Sequence, residues 1–229
     1  MKFAAVVFDL FGTLVDLFPY QEYQHELREM AKVLCAPPDD LVRLWRDTWD
    51  ERATGALPTL EAIIEHLCHT LGLQTTEAQL AAATKIRLAL TQRNLTPRRD
   101  AVATLEWLKT SGVKTGLISD CTCEVPHLWP ATPFARLIDA PVFSCAVGLK
   151  KPAPRIYEIA CERLAVRPED CLYIGDGSSR ELTGAAAVGM TPVLIRVPYE
   201  DTSDAHRYEP EDWQGPMIRA LSEVRGLME

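Results

Sequence analysis

Phe8-Asp9-Leu10-Phe11-Gly12-Thr13-Leu14 decides how the chain is read. It ends an apolar run, Ala4–Phe8, whose length and β-branched content suit a buried strand. A carboxylate therefore stands where that strand stops, followed by a glycine turn. Four more runs of the same kind lie further on: Lys114–Ile118, Pro141–Cys145, Cys171–Ile174 and Pro192–Ile195. Helical patterns separate or follow them at Asp100–Thr110, Pro154–Leu164, Ser179–Val188 and, finally, Trp213–Leu227. Strands alternating with helices predict an α/β fold, a parallel sheet covered on both faces.

The alternation breaks once, between the first strand and Asp100. That stretch has helical periodicity without a strand signal. Leu27, Met30, Ala31 and Leu34 share one face; so do Leu41, Leu44, Trp45 and Thr48, and later Leu60, Ile63, Ile64, Leu67 and Leu71. One crossover needs only one helix, so the excess predicts an inserted helical domain. The expected division is residues 1–15 and 96–229 for the core and 16–95 for the insert, with Asn94–Arg99 and its Pro97 as the return hinge. The Trp45/Trp49 pair at i,i+4 reads as core packing within it.

A chain of 229 residues, 47% hydrophobic and 24% charged, can bury a large core without disulfides or a structural metal. Its net charge of -8 argues against nucleic-acid or anionic-membrane partners, which need a basic face. A small anionic substrate in a locally positive pocket remains compatible with it. No apolar stretch reaches the length of a membrane helix. Seven cysteines cannot pair completely, and no secretory signal is read, so reduced thiols of a cytoplasmic protein are expected. Cys35, Cys68, Cys161 and Cys171 read as small core residues. Cys121 and Cys123 form a C-x-C pair with no second pair at zinc-ligand spacing.

In open α/β sheets ligands bind beyond the carboxyl ends of the strands. Asp9 ends the first strand, Ser119 the second, and Asp176 follows the fourth in Gly175-Asp176-Gly177. Lys151 comes after the third, before Pro152, which can open the next helix. Each alone has an ordinary reading: a helix cap, a turn residue, a surface Lys-Pro. All four in this order at strand ends offer a carboxylate nucleophile, a hydroxyl, a cation and a second carboxylate at one sheet edge.

These four segments resemble the four motifs of the haloacid dehalogenase superfamily, across almost the whole chain. The D-x-x-G-T-L opening is Asp9 to Leu14, and Ser119, Lys151-Pro152 and Gly175-Asp176 match the other three. The resemblance implies a Rossmann-like core with a helical cap, residues 16–95, closing over the site. It implies that Asp9 attacks the substrate to form a covalent aspartyl intermediate, with Lys151 and Ser119 as the other catalytic groups. A carboxylate is a weak nucleophile, so alignment and a nearby cation suit this chemistry. It further implies that Asp9, Asp176 and the main-chain carbonyl of Phe11 hold Mg2+, a cation that prefers oxygen ligands.

Two residues depart from the phosphatase form of the pattern. Phosphatases of the family usually have a second aspartate two residues after the nucleophile, as general acid and then base. Here that position is Phe11, which can neither give nor take a proton. Such a loss typically costs ~10²–10⁴ in rate. An aromatic residue there resembles the dehalogenase branch, and phosphonate-cleaving members usually have a small residue. Glu181 stands where another aspartate is frequent; it can orient the metal's waters or Lys151, or complete a Ser178-x-x-Glu181 capping box.

Asp176 points the other way, because dehalogenases usually have serine at that place. The expectation is a Mg2+-dependent, phosphatase-like hydrolase of a small phosphorylated metabolite, with a weakened acid/base step. The alternatives are a metal-independent 2-haloacid dehalogenase, a phosphonate hydrolase using a cap lysine (Lys32 or Lys85), or a weakened enzyme that only binds a ligand. Either a monomer or a homodimer fits. Tyr20, Tyr23, Arg46 and Trp49 are candidates to face the site from the cap, Arg46 and Trp49 equally plain members of an amphipathic helix.

Overall fold

The computed structural model describes residues 1–199 and 209–229. Strands β1 (Ala5–Phe8), β2 (Lys114–Ser119), β3 (Ala140–Phe143), β4 (Cys171–Gly175), β5 (Thr191–Ile195) and β6 (Met217–Ile218) form one sheet in the order β3-β2-β1-β4-β5-β6. Every pairing in it is parallel. The α/β Rossmann-like expectation holds.

Strand alternation explains the layering. Val6 and Phe8 face one side, where they pack with Leu105, Leu108, Val125 and Trp129. Ala5 and Val7 face the other, against Ile156, Ala160, Leu182 and Ala185. Helices α6 (Ala101–Thr110) and α7 (Glu124–Leu128) thus cover the first face; α9 (Pro154–Leu164) and α10 (Glu181–Ala187) cover the second. A short α8 (Ser144–Val147) lies between β3 and α9. With both faces covered, β1 is buried throughout and its end lies in the middle of the sheet.

Between β1 and α6 come five helices: α1 (Tyr20–Val33), α2 (Pro38–Asp47), α3 (Trp49–Ala53), α4 (Leu60–Thr70) and α5 (Glu77–Asn94). They gather a core of their own from Leu27, Met30, Trp45, Ile63, Leu67 and Leu90. The two passages of chain into and out of this insert run side by side. Val15 bridges to Pro97, the Arg98 amide donates to the Leu14 carbonyl at 2.9 Å, and Arg98 Nε donates to Asp16 at 2.8 Å. Among the described residues no helix is long and apolar enough to cross a membrane.

Three expectations fail. The amphipathic stretch Trp213–Leu227 is not one helix. Gly215-Pro216 interrupts it, and Met217–Ile218 pair with Leu194–Ile195 at the sheet edge before a short α11 (Val224–Leu227). Strand pairing there outweighs helical periodicity. The third strand stops at Phe143, since Ser144 already opens α8. Cys35, expected in the core, is exposed at a positive φ of 52° just past α1, whereas Cys68, Cys161 and Cys171 are buried.

Candidate active site

β1, β2 and β4 are adjacent, so Asp9, Ser119 and Asp176 emerge together at one sheet edge. After Asp9 the chain doubles back. The Leu10 carbonyl accepts from the amides of Thr13, Leu14 and Val15, and the Gly12 amide donates to Val15. None of these bonds uses the Phe11 carbonyl. Gly12 has a φ of 82°, and a Cβ there would lie 2.8 Å from Asp176 Cγ. Only glycine allows both the turn and this approach of the two motifs.

Lys151 ties the site together. Its ammonium donates to Asp9 Oδ1 and to Glu181 Oε2, both at 2.6 Å, and it is 5% exposed. Asp120 Oδ1 accepts from the Lys151 amide at 3.0 Å and fixes the loop. Burial pulls the ammonium toward neutrality, but the charges of Asp9, Glu181 and Asp120 more than offset it and raise its pKa well above normal. Lys151 is charged.

The carboxylates are crowded. Oxygens of Asp9, Asp176 and Glu181 lie within 4.8 Å of one another, and all three residues are buried. Burial, reinforced by the Asp176 charge and only partly countered by Lys151, pushes the Asp9 carboxyl up to about 6. Glu181 is raised well above its usual range by burial and by Asp9. Asp9 Oδ2 is buried without a hydrogen-bond partner. Hard oxygen donors, compressed negative charge and an open lone pair together suit a divalent cation. Asp176 is held for such a role, its oxygens accepting from the amide and hydroxyl of Ser178 at 2.9 Å.

Glu181 does not form the capping box. Ser178 is turned to Asp176, and Ser179 and Arg180 adopt left-handed conformations, so α10 starts only at Glu181, two residues later than expected. The Glu181 carboxylate instead accepts from Lys151, the Tyr173 hydroxyl at 2.9 Å and the Gly177 amide at 3.0 Å. A Cβ on Gly175 would fall 2.2 Å from Glu181 Oε1. Gly175→Ala must therefore displace a carboxylate held by these three donors. The expected outcome is a folded protein with kcat/KM down by ~10², the scale of a small misplacement of reacting groups. Wild-type kinetics in that variant would show that Glu181 does not position Lys151.

A cavity opens above Asp9, walled by Asp9, Phe11, Leu17, Phe18, Tyr23, Trp49, Arg87, Asp120, Lys151 and Ser179 among others. Its volume is about 90 Å³. Phe11 packs tilted against Phe18 with 4.8 Å between centroids, and Phe18 meets Tyr23 edge-on at 5.6 Å. Where a second aspartate would stand there is an aromatic wall. Ser119 is 1% exposed with its Oγ unpartnered; neither it nor Asp176 lines the cavity itself.

Of the expected cap residues, Tyr23 and Trp49 reach the cavity; Trp45 is core, its indole N–H donating to the Tyr23 hydroxyl at 2.7 Å. Trp49 thus departs from the reading of the pair as core packing. Tyr20 is exposed, and Arg46 pairs with Asp47 at the surface. Lys32 and Lys85 are exposed and do not line the cavity, which removes the support for imine chemistry. Sequence reasoning missed Arg87. It lies on α5, buried, with Nε donating to Glu124 at 2.6 Å. Removing one partner of such a buried pair costs about 3–5 kcal/mol. No local pattern marks it, because its partner is on α7 beyond the next strand.

A family profile described as haloacid dehalogenase-like hydrolase matches residues 3–189. The fold and the sheet-edge motifs define the same class: this chain belongs to the haloacid dehalogenase-like hydrolases. It is 26% identical over 230 residues to (S)-2-haloacid dehalogenase 4A of Burkholderia cepacia, covering 98% of this chain and 94% of that one. It is 30% identical over 132 residues to glyceraldehyde 3-phosphate phosphatase of Methanopyrus kandleri, 57% of each chain. A solved HAD phosphatase from Thermococcus onnurineus superposes with a TM-score of 0.64 at 24% identity, covering 100% of this chain and 98% of that one.

Proposed function

We propose that this hydrolase is a Mg2+-dependent, phosphatase-like enzyme that works through an aspartyl intermediate on a small phosphorylated substrate. The observation that carries the reading is the buried convergence of Asp9, Asp176 and Glu181 within 4.8 Å, braced by Lys151. Asp9, Asp176 and the Phe11 carbonyl would hold the cation. Bound there, magnesium offsets the charge of the carboxylates and of the substrate phosphate.

In this reading Asp9 attacks phosphorus, the ester P–O bond breaks, and water then cleaves the aspartyl phosphate. Lys151 holds Asp9 in line and offsets charge on the transferring group. Ser119, beside Asp9 at the sheet edge, would donate to a phosphate oxygen once the site shifts to expose its buried hydroxyl. Glu181 is a positioning residue acting through Lys151. Residues 16–95 serve as a cap that closes over the reacting groups and excludes water, on a core of residues 1–15 and 96–229. The seven free cysteines support a reducing, cytoplasmic setting.

The test is metal dependence. EDTA should abolish phosphate release, magnesium should restore it, and Asp176→Ala should respond to neither. Calorimetry should detect magnesium binding to the wild type and not to Asp176→Ala. Undiminished turnover in EDTA rejects the reading.

A second reading has its own support. The (S)-2-haloacid dehalogenase match extends along 98% of this chain, and Phe11 gives the cavity an aromatic wall. In that case Asp9 displaces halide from carbon and no metal is needed. Halide release from 2-haloacids in EDTA is its signature.

A further inference from the structure

We propose that the cap side of the cavity is a carboxylate subsite, in which Arg87, with Arg52 behind it, takes a second anionic group of the substrate. This rests on the reading of the cavity as the substrate site.

Arg87 is 4% exposed and lines the same cavity as Asp9 and Lys151. Glu124 occupies its Nε, while Nη1 is buried with no hydrogen-bond partner. Arg52, 1% exposed, packs on the Trp45 and Trp49 rings. Its Nε donates to Thr48 Oγ1 at 3.3 Å and its Nη2 to the Trp45 carbonyl, and its Nη1 is likewise unpartnered. The Trp45 ring connects the two guanidiniums, 4.3 Å from Arg52 and 4.9 Å from Arg87. Arg52 lines a neighbouring cavity within the cap that shares Tyr23 and Trp49 with the one above Asp9.

The charges do not cancel. Among the described residues Glu124 is the one carboxylate paired with this cluster, against two buried guanidiniums. Burying a cation without a counter-ion is costly, and an anion entering beside Arg87 removes that cost. Arg87 reaches this cavity from the insert's α5, whereas Asp9, Asp120 and Lys151 reach it from the sheet edge. Phe11, Leu17, Phe18, Tyr23 and Trp49 also line it, a wall for a short apolar linker. A two-headed substrate would thus meet the reacting groups of the sheet edge at Asp9 and a guanidinium of the insert at Arg87. A guanidinium edge matches a planar carboxylate geometrically.

The probe is benzoate, with benzamide as its neutral isostere, titrated calorimetrically into the full-length protein in EDTA. Benzoate should bind at least ~10-fold more tightly, the worth of one charge-assisted hydrogen bond. Changing Arg87 alone strands Glu124, so the key variant is Arg87→Gln combined with Glu124→Gln. It should bind both probes alike; Arg87→Lys, which keeps the ion pair but loses the planar fork, should weaken benzoate severalfold. With magnesium, 4-carboxyphenyl phosphate should exceed 4-carbamoylphenyl phosphate in kcat/KM by a similar ~10-fold, a ratio that falls toward one in the double variant. Equal affinity of the wild type for benzoate and benzamide overturns the subsite. So does benzoate binding that is unchanged in both variants. Benzoate binding that depends on Arg87, with no turnover of either phosphate, supports the subsite and rejects the phosphatase reading instead.

Discussion

Asp9→Asn should leave less than ~1% of wild-type turnover on every substrate, because an amide cannot form the covalent intermediate. The fold should persist. Asn is isosteric, Lys151 keeps Glu181 as a partner at 2.6 Å, and the loss of one of three crowded carboxylate charges relieves repulsion. The thermal midpoint should therefore hold or rise while activity vanishes. That pairing separates loss of chemistry from loss of structure. The measurement is single-turnover hydrolysis of aryl phosphates and 2-haloacids, with intact mass confirming that the amide has not deamidated. A folded variant that turns over faster than this means that Asp9 is not the nucleophile, under either reading.

The second large effect concerns the leaving group. Under the phosphatase reading, Phe11, which lines the cavity against Phe18, stands where the family's acid would protonate the departing oxygen. The leaving group must go largely unprotonated, so its own acidity should control the first step. Aryl and acyl phosphates should then react faster than alkyl phosphates by a large part of the ~10²–10⁴ that general acid catalysis supplies. Water attack on the aspartyl phosphate lacks its base as well, so good leaving groups should give a pre-steady-state burst. Rapid-quench kinetics on a matched series measures both. Equal chemical-step rates for alkyl and aryl phosphates would assign proton transfer to another residue. Asp120 would then be first in line: it lines the cavity, and burial raises its pKa.

The core was legible because its signals are local. Each strand is a short β-branched run, and a polar residue directly after it is carried to the sheet edge by chain continuity alone, as with Asp9, Ser119 and Asp176. Lys151 was placed by its Pro152 neighbour in the same way. Glu181 was legible only as a choice between two roles, decided by Ser179 and Arg180, whose left-handed backbone turns the carboxylate away from the capping geometry toward Lys151. Arg87 could not be read at all. On an exposed helix arginine is ordinary, and its burial follows from a partner brought near by tertiary folding, Glu124. Trp213–Leu227 failed for a related reason: its period was helical, but an open sheet edge at β5 claimed Met217 and Ile218.

The paired strands of chain at Val15 and Pro97 set the mechanics of the molecule. Both crossings between the sheet and the helical insert pass through one spot, pinned by Leu14, Asp16 and Arg98. A body suspended from two neighbouring points can swing about the line through them; it resists twisting or sliding. If the insert opens as the proposed cap, these contacts favour a swing about that line, and distance from the line is leverage. Arg87–Glu124, which joins α5 to α7, and Lys150–Asp50, which joins the loop after α8 to α3, act as clasps against that swing. In a closing cap, a substitution at the pivot would change how freely it moves, and one at a clasp how long it stays shut.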